Sequence, residues 1–322
     1  MIPEDIIQKQ LANTLGKTDF NGLGEKYEGK VRDNYTKEGK RIIIVTDRIS
    51  AFDRVLTTIP FKGQVLNQMA AFWFDKTKHI VKNHMLDVPD PNVMVNKEIK
   101  PYPVEMVVRG YITGVTKTSA WYNYRRGKRK FCGNILPEGL RKDQKLEKPI
   151  LTPTTKGMEG AHDENISTEQ IVERGLLDKE TMDRLTEISF KLYDFGVEEC
   201  AKQGIILVDT KYEFGELDGE IVLMDEIHTP DSSRFWFADT YKILFDKVKE
   251  QRKIDKEYVR TYLANQGFIG DGDIPEIPDK IKIEAARRYI EAYELVTGQK
   301  FTADNSDVLE RIENNLKEKG YM

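Results

Sequence analysis

The sequence contains few cysteines, with Cys132 and Cys200 the only two among 322 residues. Two thiols are too few for the disulfide framework that stabilises small secreted domains. They are also too few for a metal site built from cysteines. Both kinds of protein are therefore excluded.

Long apolar runs and a large excess of one charge are also missing. No segment approaches the ~18 apolar residues of a membrane span, and Glu4, Asp5 and Lys9 near the N-terminus do not fit a signal peptide. The formal net charge is −4, whereas general nucleic-acid binding needs a basic surface. The one strongly basic run, residues 125–130, is interpreted as a solvated hairpin or loop. We expect a cytoplasmic protein with no membrane or nucleic-acid partner.

The length of the chain predicts a large core divided between two lobes. We expect a β-rich N-terminal lobe at residues 1–105 and a larger mixed lobe with C-terminal helices at residues 106–322. Strand-like runs early and helical patterns late indicate an α+β fold. Glycine, proline and lysine are frequent between residues 134 and 161, which predicts a long loop there.

A β-hairpin is predicted from two β-rich runs, residues 207–214 and 220–225, joined by a segment that ends in an Asp-Gly turn signal. Glu213 and Asp225 lie symmetrically about Gly219 in the sequence. A loop centred on Gly219 would place them opposite each other, with Cβ atoms roughly 5 Å apart. Two carboxylates this close repel each other unless a cation lies between them.

One face of the first strand fits a metal–nucleotide site. Because strand side chains alternate, Asp209, Lys211 and Glu213 share a face. Mg²⁺ is commonly held by one or two carboxylates together with substrate phosphates, and a lysine two residues away suits a phosphate oxygen. The alternative is an exposed polar face balanced by ordinary ion pairs.

A compact set of hydrogen-bond donors follows the second strand. After a Pro-Asp turn come Ser232, Ser233 and Arg234, which suit a phosphate or a carboxylate. Joined to the hairpin carboxylates, they predict an anionic substrate beside the metal–nucleotide site. The alternative is a capped turn in which Arg234 lays its apolar stem on a following aromatic ring.

Two earlier segments are weaker candidates. Gly29 is followed by Lys30 and Arg32, and a glycine lets backbone N–H groups approach phosphates. An ordinary charged hairpin explains this pattern equally well. Asp47 and Asp53 follow a predicted buried strand, where they could belong to a site or could cap turns.

The predicted long loop and its end contain Lys156, His162 and Asp163. A histidine beside an aspartate suggests a general base, because histidine titrates near neutral pH. The alternative is a surface histidine near a helix cap.

Taken in chain order, these segments resemble the SAICAR synthetase (phosphoribosylaminoimidazole-succinocarboxamide synthase) family in its longer, yeast-like form. The matching segments are residues 29–33, 47–53, 105–110, 136–140, 152–156, 162–164, 208–215, 225–226 and 230–234. In one departure, residues 115–118 precede Ser119, where many relatives go straight to Ser-Ala-Trp. Ser119 or a neighbouring hydroxyl would then meet the substrate.

The resemblance implies an ATP- and Mg²⁺-dependent ligase of purine biosynthesis. The family joins L-aspartate to the carboxylate of carboxyaminoimidazole ribotide (CAIR) and gives SAICAR, ADP and phosphate. The implied fold is two-lobed and related to ATP-grasp and kinase-like nucleotide sites. The alternatives are another ATP-dependent phosphotransferase on the same scaffold and a non-catalytic nucleotide-binding regulator.

The resemblance also implies roles for individual residues. ATP would contact Gly29, Lys30, Arg32, Glu105 and Lys211. Mg²⁺ would be held by Glu213 and Asp225, and the catalytic residues would be Lys211 and Asp209. The small-molecule substrates would contact Arg109, Ser119, Asp209, Ser232, Ser233, Arg234, Lys156, His162 and Asp163, the last three being placed near aspartate.

Overall fold

The computed structural model of the chain describes residues 2–52, 54–156, 164–254 and 257–322. In these ranges no helix combines the length and the apolar character needed to cross a membrane. The expected mixture of helices and largely antiparallel sheets is present, so the α+β prediction is confirmed.

The elements are numbered in chain order. The strands of the described residues are β1 Glu25–Glu28, β2 Arg32–Lys37, β3 Lys40–Val45, β4 Arg48–Ala51, β5 Arg54–Thr58, β6 Met85–Asp90, β7 Val93–Lys97, β8 Lys100–Ile112, β9 Lys130–Phe131, β10 Asn134–Ile135, β11 Gln144–Leu151, β12 Thr154–Thr155, β13 Glu164–Asn165, β14 Ile205–Leu217, β15 Glu220–Met224 and β16 Ser233–Phe237. The α-helices of the same residues are α1 Glu4–Gln10, α2 Lys62–Thr77, α3 Ala120–Tyr124, α4 Thr168–Glu173, α5 Lys179–Lys202, α6 Ala238–Asp246, α7 Glu257–Asn265, α8 Asp279–Thr297 and α9 Val308–Glu318.

The first sheet is built from the early strands in the order β1-β2-β3-β7-β6. Its buried side chains, such as Ile42 and Ile44, form a core with Ile312 and Leu316 of α9. The C-terminal helix is therefore part of the N-terminal half of the fold, because its apolar stripe covers the strands that the sequence places first.

Asp47 follows β3 and joins the N-terminus of α2 to the start of the chain. Its carboxylate accepts hydrogen bonds from the backbone N–H groups of Leu15 and Gly63, each at 2.8 Å. Burial raises the pKa of Asp47 to about 6, although both hydrogen bonds act in the opposite direction. Of the two interpretations of Asp47, the structure supports the cap. Asp53 lies outside the described residues.

The second sheet has the order β13-β12-β8-β14-β15, with β11 also paired to β8 and β16 to β14. Residues 209–213 of β14 pair regularly with β8, and Asp209 lies opposite Arg109 while Glu213 lies opposite Glu105. Irregularities flank this stretch, one before Asp209 against β16 and one after Glu213 against β8. The alternating face of Asp209, Lys211 and Glu213 is thus confirmed.

Helix α5 fixes the back of β14. Asp178 caps the helix by accepting a hydrogen bond from the Thr181 N–H at 2.9 Å. Leu185 and Leu192 are fully buried on the face that meets the sheet. The Tyr193 hydroxyl donates to the Leu207 carbonyl at 2.9 Å. The polar residues of β14 therefore project from a strand whose other side is packed and hydrogen-bonded.

One expectation about organisation is corrected, whereas the division into two lobes after residue 105 stays a prediction. Residues 134–161 are not one long loop, because they contain β10, β11 and β12, and the pairing of β11 and β12 with β8 outweighs the turn-forming composition. The predicted division after residue 105 falls inside β8. The first sheet ends at Lys97 and the second begins at Lys100, so the change of sheet comes near residue 98.

Candidate active site

Three charged residues form a row across neighbouring strands. Asp209 on β14 lies between Arg109 on β8 and Arg234 on β16. Its Oδ2 atom accepts a hydrogen bond from Arg109 Nη1 at 3.0 Å and another from Arg234 Nη1 at 2.6 Å. Two guanidinium groups thus share one carboxylate, which leaves the row with a net positive charge suited to an anion.

A cavity of about 220 Å³ opens beside this arginine–aspartate row. Its lining includes six residues predicted from the sequence: Arg109, Asp209, Lys211, Ser232, Ser233 and Arg234. Three further polar residues line it that the sequence did not single out as ligands: Thr210, Asp231 and Arg260. Thr210 and Asp231 could have been found from their place beside predicted residues. Arg260 lies on α7, and no sequence signal links it to the sheet.

Ser119 lies close to Arg234 although it does not line the cavity. A Cβ atom on Gly114 would lie 2.4 Å from Ser119 Oγ and 3.2 Å from Arg234 Nη1. Gly114 also has a positive φ of 91°, which favours glycine. The absence of a side chain at Gly114 therefore lets the serine and the arginine approach each other. Ser119 Oγ and Thr116 Oγ1 share a hydrogen bond of 2.7 Å.

A second cluster lies further along the same face of β14. Lys211 Nζ donates to Glu105 Oε1 at 2.6 Å and to Glu213 Oε1 at 2.7 Å. Lys156 forms an ion pair with the other oxygen of Glu213. Burial on its own lowers the pKa of Lys211, but the charges of Glu213 and Glu105 outweigh it and hold that pKa well above its usual value. Lys211 therefore carries a permanent positive charge.

Asp225 faces this cluster from the end of β15, but not in the predicted register. The turn is the two-residue Asp218-Gly219, with φ values of 54° and 77°, so Glu213 lies opposite Met224. The predicted centre at Gly219 is wrong by half a residue. Asp225 lies just beyond the strand with φ of 69°. The two carboxylates nevertheless interact, since the charge of Glu213 contributes to raising the pKa of Asp225.

Arg32 of β2 forms an ion pair with Asp225, and its Nη2 atom lies 2.7 Å from Glu226 Oε1. The pKa of Asp225 rises to about 6, chiefly through burial. The charge of Arg32 lowers it, and the charges of Glu213 and Glu226 raise it further. An ionised Asp225 is thus held in an acidic, buried setting that an additional cation would relieve.

Glu213 and Asp225 could bind a divalent cation only if a bound ligand or water supplied the remaining oxygen atoms. Among the described residues no three His, Cys, Asp or Glu side chains form a group able to hold a metal. Glu213 and Asp225 offer carboxylate oxygens, which Mg²⁺ prefers, and phosphate oxygens and water complete such sites in many enzymes. The donor chemistry therefore fits Mg²⁺ bound together with a nucleotide.

The other predicted nucleotide residues lie at the β1–β2 turn. Gly29 donates its N–H to the Arg32 carbonyl at 2.8 Å and Lys30 is exposed. Between the first sheet and α2 is a narrow cleft, about 10 Å³, that includes Ile43, Leu66 and Met94 in its lining and ends at Arg32, Asp225 and Glu226. Arg32, which follows this turn, thus lies in the lining of the cleft together with Asp225 and Glu226. His162 and Asp163 lie outside the described residues.

A larger cleft, about 700 Å³, lies between residues 250–254, which follow α6, and the helices α7 and α8. Its charged residues pair with each other, since Arg288 Nε lies 2.9 Å from Glu284 and Arg252 Nη2 lies 3.9 Å from Glu291. Its size would favour this cleft as the substrate site. Its lining, however, contains equal numbers of acidic and basic residues, so it carries no net charge to attract an anion. We therefore place the chemistry at the smaller cavity, where charge and hydrogen-bond donors are in excess.

Comparison with known proteins agrees with this geometry. Residues 25–273 match the family model described as SAICAR synthetase. A phosphoribosylaminoimidazole-succinocarboxamide synthase of Legionella pneumophila (strain Paris) is 47% identical over 92% of this chain and 95% of its own. The structure of SAICAR synthase from Saccharomyces cerevisiae complexed with SAICAR superposes with a TM-score of 0.79 at 34% identity, covering 90% of this chain and 100% of that one.

A SAICAR synthetase in complex with ADP also superposes, with a TM-score of 0.65 at 27% identity, covering 87% of this chain and 100% of that one. The likeness therefore extends through nearly the whole of this chain. The chain belongs to the SAICAR synthetase family, the ATP-dependent carbon–nitrogen ligases that act in purine biosynthesis.

Proposed function

We propose that the polar face of β8, β14 and β16 carries the ligase reaction of this family. The chain joins L-aspartate to the carboxylate of CAIR and gives SAICAR, ADP and phosphate. The observation that carries the assignment is the single Asp209 oxygen shared by Arg109 and Arg234, since it creates a fixed cationic row beside a cavity. A non-catalytic regulator would have no need of the adjacent carboxylates.

CAIR occupies the cavity beside the arginine–aspartate row. Arg109 and Arg234 bind its phosphate or carboxylate oxygens, with Ser232 and Ser233 as further donors and Ser119 close to Arg234. Asp209 hydrogen-bonds the imidazole amine or the ribose. Guanidinium groups suit this role because their planar N–H donors match phosphate and carboxylate oxygens in pairs. The ion pairs to Asp209 hold both guanidinium groups in place before the substrate arrives.

ATP binds on the side of the site formed by the first sheet. The adenine enters the apolar cleft beside Ile43, Leu66 and Met94. The cleft measures only about 10 Å³, so it has to widen before an adenine can enter, and Arg32 in its lining then leaves Asp225 and Glu226. Nucleotide phosphates then replace these carboxylates as partners of Arg32, with Lys30 at the turn as a further cation.

Mg²⁺ would be held by Glu213 and Asp225 together with ATP phosphates. Bound there, it would supply positive charge for the phosphoryl oxygens. Lys211 lies between Glu105 and Glu213 and keeps its charge, so it is the lysine best placed for a transferring phosphoryl group. Glu105 acts through Lys211, whose ammonium it holds at 2.6 Å.

The chemistry follows from the poor reactivity of a carboxylate toward amines. A CAIR carboxylate oxygen attacks the γ-phosphorus of ATP, which releases ADP and forms an acyl phosphate. The aspartate amine then attacks the carbonyl carbon, loses a proton, and displaces phosphate. Positioning and electrostatic compensation supply the catalysis, because the transferring phosphoryl carries spread negative charge.

Aspartate is placed near Lys156, whereas His162 and Asp163, the other two residues predicted for it, lie outside the described residues. The Lys156 ammonium pairs with Glu213, so it lies within reach of the place where the acyl group would form. A dicarboxylic acid needs cations, and Lys156 supplies one beside Glu213 and outside the row.

An isotope experiment tests this function. CAIR labelled with ¹⁸O in its carboxylate is incubated with the protein, ATP, Mg²⁺ and aspartate. We expect ADP release only with all substrates present, and one ¹⁸O atom in each phosphate released. Unlabelled phosphate would contradict the acyl phosphate intermediate. ADP release at the same rate with and without CAIR would contradict the ligase assignment.

A further inference from the structure

The turn that carries Ser232 into the cavity is anchored from behind by Asp231. Asp231 Oδ2 accepts a hydrogen bond from Lys62 Nζ at 2.9 Å, and its Oδ1 accepts one from the Tyr289 hydroxyl at 2.9 Å. Lys62 begins α2 and Tyr289 lies in the middle of α8. One carboxylate therefore ties the substrate turn to two helices that are distant in the chain.

Lys62, Asp231 and Tyr289 form a triad whose ion pair is largely buried. The Lys62 side chain is 0% exposed and that of Asp231 is 10% exposed. A buried ammonium is costly unless it is paired and hydrogen-bonded. The Lys62 ammonium also lies 5.5 Å from the centre of the Tyr289 ring, so the tyrosine contacts both partners of the ion pair.

The opposite side of the turn is fixed to β14. The Ser232 carbonyl accepts a hydrogen bond from the Lys211 N–H at 3.1 Å, and Ser233 Oγ donates to Thr210 Oγ1 at 2.8 Å. The turn is thus held between the catalytic strand and the helices. A shift of Asp231 would displace the hydroxyls that face the cavity.

We propose that Tyr289, acting through Asp231, is a positioning residue for CAIR binding. This inference rests on the proposed function, in which CAIR occupies the cavity that Asp231 helps to line. Tyr289 lies beyond residues 25–273, the part that matches the family model. A C-terminal helix thereby shapes a substrate site whose ligands all come from elsewhere in the chain.

Two effects follow from the hydroxyl of Tyr289. It holds Asp231 against α8, and it offsets the negative charge that Asp231 would otherwise direct at an anionic substrate. When the Tyr289 hydroxyl is removed, the hydrogen bond from Lys62 to Asp231 stays and the one from Tyr289 is lost. The position of the turn and the electrostatic potential in the cavity then both change. CAIR affinity should fall, whereas the nucleotide cleft, which Tyr289 does not line, should be unaffected.

The test compares Tyr289→Phe with Tyr293→Phe. Tyr293 lies one turn further along α8, and its hydroxyl bonds Gln299 Oε1 at 3.2 Å, away from Asp231. We expect Tyr289→Phe to raise the KM for CAIR about tenfold, which is the size of the coupling between groups in one hydrogen-bond network. The kcat and the KM for ATP should stay within about twofold, and Tyr293→Phe should change none of the three.

An unchanged KM for CAIR in Tyr289→Phe overturns the inference, and so does an equal change in the KM values for CAIR and ATP. Melting temperatures of both variants show whether α8 still packs. Arg234→Lys is measured in the same assay to separate the two proposals. If Arg234→Lys weakens CAIR use and Tyr289→Phe does not, the positioning role falls while the site stands. If neither weakens it, the cavity is not the CAIR site.

Discussion

Replacing Arg234 by lysine should damage CAIR binding although the charge is kept. Arg234 reaches Asp209 through one of its two terminal nitrogens, at 2.6 Å. An arginine can hold a carboxylate with one nitrogen and present other N–H groups to a ligand. A lysine has one nitrogen at the end of a flexible stem, so it contacts either Asp209 or the substrate with good geometry.

The magnitude follows from the number of hydrogen bonds lost. A hydrogen bond to a charged group contributes about 1.5–3 kcal/mol, and about 1.4 kcal/mol corresponds to a tenfold change in an equilibrium constant. The Arg234 side chain is 30% exposed, so water weakens the interaction and the lower end applies. We therefore expect the KM for CAIR to rise by roughly tenfold to thirtyfold, with the KM for ATP nearly unchanged.

The assay is ADP release under varied CAIR with saturating ATP and aspartate, then under varied ATP with saturating CAIR. Arg252→Lys is the matched control, because the Arg252 guanidinium stacks 3.7 Å from the centre of the Phe237 ring and lies outside the cavity. It should leave both KM values unchanged. An equal rise in both KM values for Arg234→Lys would place Arg234 in the nucleotide site, and no rise at all would remove it from the site.

Three other outcomes are expected. Glu213→Gln and Asp225→Asn should each lower turnover by orders of magnitude while the protein stays folded, since each removes charge from the metal site; near-normal turnover at limiting Mg²⁺ would refute that site. Lys156→Met should raise the KM for aspartate about tenfold, and an effect on ATP alone would move Lys156 to the phosphates. Burial raises the pKa of Asp47 from 3.8 to about 6, so the folded protein binds this proton more tightly than the unfolded chain does. The resulting gain in the free energy of unfolding is complete below about pH 4 and is lost as the pH rises through about 6. Urea unfolding should therefore show the wild type losing up to about 3 kcal/mol relative to Asp47→Asn between pH 4 and pH 7, and a constant difference would refute the shift.

The sequence predicted the residues of the central strand well, because alternation along a strand depends only on its backbone. Asp209, Lys211 and Glu213 share a face as expected, and the row opposite Asp209 contains the predicted Arg109 and Arg234. The register of the hairpin was harder to predict. An Asp-Gly pair can form a two-residue turn or end a longer loop, and the φ values at these two residues select the shorter turn.

Features that depend on tertiary pairing could not be read from local pattern. Residues 144–151 look like loop by composition, yet β8 pairs with them and makes them a strand. The partnership of Arg32 with Asp225 joins residues 193 apart in the chain. Arg260 and Tyr289 reach the site from helices whose apolar periodicity gives no hint of a ligand. Each of these contacts is decided by how the two sheets and the C-terminal helices meet.

The regular stretch of β14 between its two irregularities has a consequence for what the protein accepts. Glu213 lies four residue steps beyond Asp209, which in a strand is about 13 Å. In the proposed function, one end of this stretch belongs to the row that binds CAIR and the other carries Glu213, a ligand proposed for Mg²⁺. The distance between Asp209 and Glu213 is therefore fixed, since movements of the loops cannot stretch a hydrogen-bonded strand. A substrate whose anionic group and reacting carboxylate were separated by one more bond would have to bend to react. The irregularities on either side can absorb insertions and twist, so changes in chain length can accumulate outside residues 209–213 without altering that distance.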